Sequence, residues 1–139
     1  MKKQLNNVCI EAIDPKTSLQ LLVNQLVSNS LTGNSPSKCV VVNELPSEFY
    51  IASENMVAPI IKELLTTMVS NARNGRIYIS AERSRDIITL QMQERNNYNG
   101  YALAFSLKSI EPQATEIGGC ISIKGAQQLE TTVSFSFPN

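Results

Sequence analysis

The order in which helical and extended patterns alternate along the 139-residue chain constrains its fold more than any other sequence feature. Three stretches have apolar residues at helical spacing, and two short runs typical of strands follow each of them. Several of these strand pairs have the pattern of hairpins, which disfavours a doubly wound parallel sheet. We therefore expect an α/β (α+β) two-layer sandwich, in which a mixed sheet of about five or more strands carries three helices on one face.

Two of the predicted helices are amphipathic. The first is expected to start at Asp14–Pro15, because an aspartate followed by proline is a frequent helix start, and the second follows a cap at Ser53. Pro59 lies just past the first turn of the second helix, where proline can bend it. The apolar residues at helical spacing are Leu19, Leu22, Val23, Leu26 and Val27 in the first helix and Val57, Ile60, Ile61, Leu64, Leu65, Met68 and Val69 in the second.

The strands and the third helix complete the pattern. The predicted strands are Cys39–Val42, Phe49–Ala52, a run through Ile77 and Ile79, Ile87–Met92, Cys120–Ile123 and Thr131–Phe137. The first of these is expected to be buried, and a turn at Ser84–Asp86 joins the third and fourth into a hairpin. The third helix is predicted from Leu103, Leu107, Ile110, Ala114 and Ile117. Pro112 limits its regularity and Gly118–Gly119 ends it.

Charge and cysteine content exclude several classes of protein. Twelve basic and twelve acidic residues cancel, so no overall field favours nucleic acid or an anionic membrane. No apolar run approaches a membrane span, and polar residues follow Met1 where a signal peptide would be apolar, so we expect one cytoplasmic domain over residues 1–139. Cys9, Cys39 and Cys120 form no disulfide or zinc pattern, and each is interpreted as a small buried hydrophobic residue.

The chain contains no histidine. This absence excludes a Ser-His-Asp triad, a Cys-His pair and a histidine-ligated metal. It also excludes a phospho-accepting histidine on this chain, so any transfer of phosphate to histidine would need a second chain.

Two parts of the chain have familiar local sequences: ASENMVAPIIKELLTTMVSNARNGRIYISAE at residues 52–82, and SLKSIEPQATEIGGCISIKG with TTVSFSFP within Leu103–Pro138. Together with the element order they resemble the ATP-binding domain of sensor histidine kinases, which has the GHKL or Bergerat fold. The N-terminal part resembles the helix that bears the family's N box and the strand after it. The C-terminal part resembles the final helix, its Gly-Gly turn and the last two strands. The resemblance covers about residues 8–138 and depends on the ordered set of motifs, since each motif alone is weak.

The resemblance implies a nucleotide pocket, and the helix that should bind the metal departs from the family pattern. A working N box has two asparagines one helical turn apart, one of which binds Mg²⁺ through its carbonyl oxygen. In the register that needs no gap, those positions hold Glu63 and Thr67. An alternative register matches Asn71 to the end of the motif, with an inserted turn before it and a deletion after it, and still places Thr67 at the first asparagine.

The adenine and phosphate motifs also depart from the pattern. In the family's D-x-G-x-G motif an aspartate at a strand end accepts the adenine amino group, and glycines admit the base. Glu94 stands at that position and both glycines are missing. The G-x-G motif falls on Gly100–Leu103 or on Ala104–Leu107 and loses at least one glycine in either place. The few residues between Glu94 and this helix leave no room for the long lid of the family.

The resemblance therefore implies the fold of a kinase domain without its usual chemistry. Our leading hypothesis is a non-catalytic or weakly nucleotide-binding relative that needs no cofactor and acts as a protein-interaction module in two-component signalling. Its partner would be a response regulator, a sensor kinase or a second copy of itself. An alternative is a divergent kinase domain that binds ATP and Mg²⁺ and phosphorylates a histidine on another chain, and a third is an unrelated α/β sandwich.

The candidate residues of a relict nucleotide pocket are Glu63, Thr67, Asn71, Glu94 and Gly100. For Glu63, Thr67, Asn71 and Glu94 the structural interpretation is a solvated helix face or strand end, and the functional one is a remodelled pocket for another small ligand. Lys62, Arg73 and Arg76 could attract anions near the pocket. Tyr98 and Tyr101 could fill the vacated cleft or join a contact surface.

Overall fold

The computed structural model describes residues 17–31, 40–52, 54–72, 76–95, 100–125 and 130–139. Within them lie a five-stranded sheet, a two-stranded sheet and four helices. The strands are β1 (Thr17–Ser18), β2 (Val40–Asn43), β3 (Tyr50–Ile51), β4 (Arg76–Ser84), β5 (Ile87–Arg95), β6 (Cys120–Lys124) and β7 (Glu130–Pro138). The helices are α1 (Leu19–Leu31), α2 (Glu54–Ala72), α3 (Gly100–Leu107) and α4 (Glu111–Glu116). This is the predicted α+β sandwich.

The main sheet has the strand order β2–β4–β5–β7–β6. β2 and β4 run parallel, with Val41 beside Ile77, and the other three pairings are antiparallel, so the sheet is mixed as expected. β4 and β5 form the predicted hairpin around Arg85 and Asp86, and Arg85 adopts the left-handed conformation that a tight hairpin turn requires, with φ of 57°. β1 pairs with β3 in the small sheet.

Alternation along the strands gives the main sheet one face that the helices cover and one, the uncovered face, on which no described helix packs. On β4, β5 and β7, successive side chains point to opposite faces, and one of the two sets is buried under the helices. The strand residues in this core are Ile77, Ile79, Ile88, Leu90, Met92, Val133, Phe135 and Phe137. The predicted apolar stripe of α2 is buried against them in full, and that of α1 is buried except for the half-buried Val27. Each fully buried aliphatic side chain contributes about 1.5–3 kcal/mol.

The first helix begins later than the sequence predicts, at Leu19. Thr17 and Ser18 instead form a strand that pairs with β3. The Ser18 hydroxyl accepts a hydrogen bond from the Leu21 N–H at 3.4 Å, so it caps the helix from the end of the strand. The predictions for Cys9, Asp14–Pro15, Cys39, Ser53, Arg73 and Tyr98 lie outside the described residues.

The third predicted helix is two short helices, α3 and α4, because the chain turns at residues 108–110. Proline suits the first turn of a helix, where its missing N–H has no partner to lose. Pro112 accordingly lies at the start of α4 and does not interrupt a longer helix. No helix among the described residues is long and apolar enough to cross a bilayer.

Two expectations about burial are wrong. Val40 is 48% exposed, because β2 is the outermost strand of the described sheet on its side. Cys120 is exposed as well, since alternation along β6 turns it away from the core. The same alternation turns Ile121 and Ile123 toward the core, where both are partly buried.

Candidate functional site

A groove of about 530 Å³ runs along the outer side of α2. The described residues that line it are Pro59, Lys62, Glu63, Thr66 and Thr67. All of them come from one helix because positions three and four residues apart lie on the same side. Two residues of the predicted pocket, Glu63 and Thr67, therefore lie together in this groove.

The Glu63 carboxylate is held from the neighbouring helix α4. The side-chain amide of Gln113 donates a hydrogen bond from Nε2 to Oε2 of Glu63, at 3.2 Å. Glu63 is exposed and Thr67 is half-buried. The groove thus offers a carboxylate, a hydroxyl and the ammonium of Lys62, and its described lining contains no amide carbonyl that could bind Mg²⁺. No group of three or more acidic or cysteine side chains in the described residues could hold a metal ion.

Glu94 lies at the end of β5 on the covered face of the sheet. It is 1% exposed, and its neighbours on the adjacent strands are Ile77 and Thr131. Thr131 is also buried, and its hydroxyl donates a hydrogen bond to the Gly125 carbonyl at 3.1 Å. Among the described residues, Glu94 and Thr131 are the buried polar side chains of the core. The interpretation of Glu94 as a solvated strand end is therefore wrong.

The remaining candidates lie at the same end of the sheet as Glu94. Asn71 is in the last turn of α2, β4 follows it in the chain, and the first residue of β4 pairs with the last residue of β5. Gly100 is the first residue of α3, which follows β5. The described lining of the α2 groove includes neither these two residues nor Glu94. A shared pocket for all five candidates stays a prediction.

Sequence reasoning missed two residues of this region and left the role of a third open. Thr131 continues the inward alternation of Val133 in β7, and that alternation was sufficient to place it in the core. Gln113 carries no comparable signal, because its contact depends on where the tertiary fold places α4 relative to Glu63. Arg76 could attract anions near the pocket or be an ordinary surface charge, and the alternation of β4 places its exposed side chain on the uncovered face.

Neither a protein-family model nor a curated protein matches the chain. Solved structures do match it. Histidine kinase AdeS of Acinetobacter baumannii is similar with a TM-score of 0.70 and 12% identity, over 89% of this chain and 66% of that chain. The catalytic domain of histidine kinase ThkA matches with a TM-score of 0.62 and 17% identity, over 91% of this chain and 97% of that domain. The mycobacterial sensor histidine kinase MprB matches with a TM-score of 0.63 and 8% identity, over 89% of this chain and 97% of that chain.

The chain has the fold of a histidine kinase catalytic domain. This histidine-kinase-like fold confirms the resemblance seen in the sequence, and an unrelated sandwich does not account for it. The chain spans less than two thirds of AdeS but nearly all of the ThkA catalytic domain, so the likeness is confined to that domain. Identities of 8–17% mean that what the chain shares with these proteins is the backbone fold.

Proposed function

We propose that this histidine-kinase-like domain does not use nucleotide and acts as a protein-interaction module in two-component signalling. The observation that carries the proposal is the connection between β5 and α3. β5 ends at Arg95 and α3 begins at Gly100, which leaves the four residues 96–99 between them. Such a segment spans at most about 17 Å when fully extended. A loop that leaves the sheet, covers a triphosphate and returns needs a longer segment.

The side chains of the α2 groove support the same proposal. Glu63 brings a negative charge to the position where the resemblance implies an asparagine, and a carboxylate repels the oxygens of a phosphate. Thr67 supplies a hydroxyl in place of an amide carbonyl. Gln113 already occupies one oxygen of Glu63. A nucleotide would have to displace this bond and overcome the repulsion.

The nucleotide half of the proposal is tested by thermal unfolding with millimolar ATP and Mg²⁺. We expect no change in Tm, whereas a ligand at a hundredfold excess over its Kd would add about 2.7 kcal/mol, equivalent to several degrees. The matched variant is Thr67→Asn, which restores one amide and should still show no binding by calorimetry. A histidine kinase domain that keeps its lid and both asparagines serves as the positive control. A magnesium-dependent rise in Tm for the unaltered chain would contradict the proposal and favour a kinase that phosphorylates a histidine on another chain.

The interaction half of the proposal is supported by a large apolar side chain on α3. Phe105 is 77% exposed, and α3 carries no charged residue along its length. Exposed aromatic side chains in uncharged surroundings are typical of the centres of protein interfaces. The proposed partners are a response regulator, a sensor kinase or a second copy, in keeping with the two-component signalling of sensor kinases.

The test of this half replaces Phe105 by Asp and measures binding to purified response regulators and sensor kinases, and self-association by sedimentation. We expect at least tenfold weaker binding, which corresponds to about 1.4 kcal/mol. Leu21→Asp is the matched control, because Leu21 is 64% exposed on α1 and lies on another helix. Equal losses in the two variants, or none in Phe105→Asp, would contradict the assignment of α3 as the interface.

A further inference from the structure

The face of the main sheet that lies opposite the helices forms a shallow concave surface of about 530 Å³, which we call the open face. Twelve described side chains line it, and nine of them carry a hydroxyl or a side-chain amide. The other three are Glu44, Arg95 and Lys124, so the described lining contains no aliphatic side chain. The open face is on the other side of the sheet from α2 and its groove, so a ligand bound there does not depend on the proposed role in protein interaction.

Strand register places the side chains of the open face in rows. Tyr78, Gln93, Thr132 and Lys124 form one row across four strands. The next row, at the end of the sheet, contains Arg76, Arg95 and Glu130. Neighbours within such a row have their Cβ atoms about 4.5–5.5 Å apart.

Arg76 and Arg95 are therefore directly opposite each other on neighbouring strands. Like charges in this position destabilise a sheet. Within the described residues, the ion pair that relieves the repulsion is Arg95 with Glu130, at 3.8 Å between Nε and Oε2, and Arg76 forms none. Positions where a sequence breaks a local rule of strand pairing in this way are often functional sites.

The Arg95 guanidinium is held in a defined orientation. It lies over the Tyr78 ring, with Cζ 4.1 Å from the ring centroid. Its Nε donates a hydrogen bond to Oε1 of Gln93 at 2.9 Å and faces Glu130. These contacts with described residues use Nε and the flat face of the guanidinium, and the ligand we propose below would bind to its two terminal nitrogens. An arginine fixed in this way is preorganised for two parallel hydrogen bonds to a phosphate.

We propose that the open face binds a small phosphorylated polyol, such as a sugar phosphate. The phosphate lies between Arg95 and Arg76, where two negative charges relieve the repulsion between the arginines. The hydroxylated body lies over Gln91, Gln93 and Ser134, whose amides and hydroxyls both donate and accept hydrogen bonds, as sugar hydroxyls do. The volume of the surface is within the range of small-molecule sites.

Two other ligand classes fit the open face less well. The centres of protein interfaces are apolar and depleted in serine, whereas the open face holds Ser80, Ser122, Ser134 and Ser136. Single-stranded nucleic acid needs a cationic groove with several aromatic platforms. In the part of the chain that the structure describes, the lining of the open face includes one aromatic ring, that of Tyr78, and Arg95 covers it.

The test titrates the ¹⁵N-labelled chain with glucose 6-phosphate and follows the Arg95 Nε–H and the side-chain amide of Gln93 by NMR. Glucose and inorganic phosphate are titrated in parallel. We expect glucose 6-phosphate to bind at least tenfold more tightly than glucose or inorganic phosphate, which corresponds to about 1.4 kcal/mol. It alone contacts both the two arginines and the polar side chains of Gln91, Gln93 and Ser134. No saturable shift at about 10 mM, or equal binding of phosphate alone as an adventitious ion, would overturn the proposal.

Arginine variants separate a bidentate phosphate contact from general electrostatics. Arg95→Gln should weaken binding about tenfold or more. Arg95→Lys should weaken it nearly as much, because an ammonium keeps the charge but cannot donate two parallel hydrogen bonds as a guanidinium does. Arg83→Gln is the matched control: it removes the same charge from β4 near the hairpin turn, on an exposed position of the other face. Its effect should be below about twofold. An effect equal to that of Arg95→Gln would overturn the proposal.

Glu130 gives a test with the opposite sign. Its carboxylate competes with the ligand for Arg95, so Glu130→Gln should tighten glucose 6-phosphate binding by roughly threefold. The control is Glu82→Gln, which removes the same charge on the open face six residues along β4 from Arg76, about 20 Å away. The comparison of Glu130→Gln with Glu82→Gln tests the proposal even where an Arg95 variant fails to fold. Unchanged or weaker binding by Glu130→Gln would count against the site.

Discussion

The two faces of the main sheet are built from the same strands and share almost no chemistry. On the covered face the described core is apolar except for Glu94 and Thr131. On the open face every described lining side chain is polar or charged. Because side chains alternate along a strand, neighbouring residues in the sequence lie on opposite faces, one apolar and one polar. The side chains of the covered face must therefore fill a core volume, and those of the open face need not.

This difference explains how the fold is shared at identities of 8–17%. A core accepts many combinations of apolar residues if their total volume and pattern are kept. The open face has no volume to fill, so packing does not select its side chains. Contacts there, such as Arg95 over Tyr78, depend on which side chains the strand register brings together and not on filling a core.

The largest difference between the faces should appear at two successive residues of β7. Phe135 is 1% exposed and its ring lies 5.0 Å from that of Phe137, so Phe135→Ala should lower the free energy of unfolding by about 3–5 kcal/mol. Ser134→Ala removes one hydroxyl from the open face and should change it by less than about 0.5 kcal/mol. Urea unfolding measures both. Similar losses in the two variants would break the comparison, since the open face would then be packed against part of the chain.

Much of the fold could be predicted from sequence because burial leaves a periodic signal. The stripe from Val57 to Val69 predicts α2, and the alternation from Thr131 to Phe137 predicts β7. The predicted secondary structure is wrong where pairing with a residue distant in sequence overrides the local preference of the chain. A helix that starts at Asp14–Pro15 would include Thr17 and Ser18, but these two residues form a strand because β3 lies beside them.

Less of the candidate site could be predicted. The sequence placed Glu63 and Thr67 on one side of a helix, since spacing alone decides this. The bond from Gln113 to Glu63 requires α4 to lie within side-chain reach of α2, and no local pattern encodes it. The opposition of Arg76 and Arg95 likewise depends on the register of a hairpin, and a shift of one residue would remove it.

The smallest expected effect concerns the ion pair between Arg95 and Glu130. The two atoms are 3.8 Å apart and the side chains are 44% and 56% exposed, so solvent and salt screen the attraction. Glu130→Gln should therefore change the free energy of unfolding by less than about 0.5 kcal/mol in urea unfolding. A loss above about 1 kcal/mol would show that the pair holds the end of the sheet, and tighter ligand binding by the same variant could then reflect an altered sheet. A value near zero together with tighter binding of glucose 6-phosphate would assign stability to the covered face and binding to the open one.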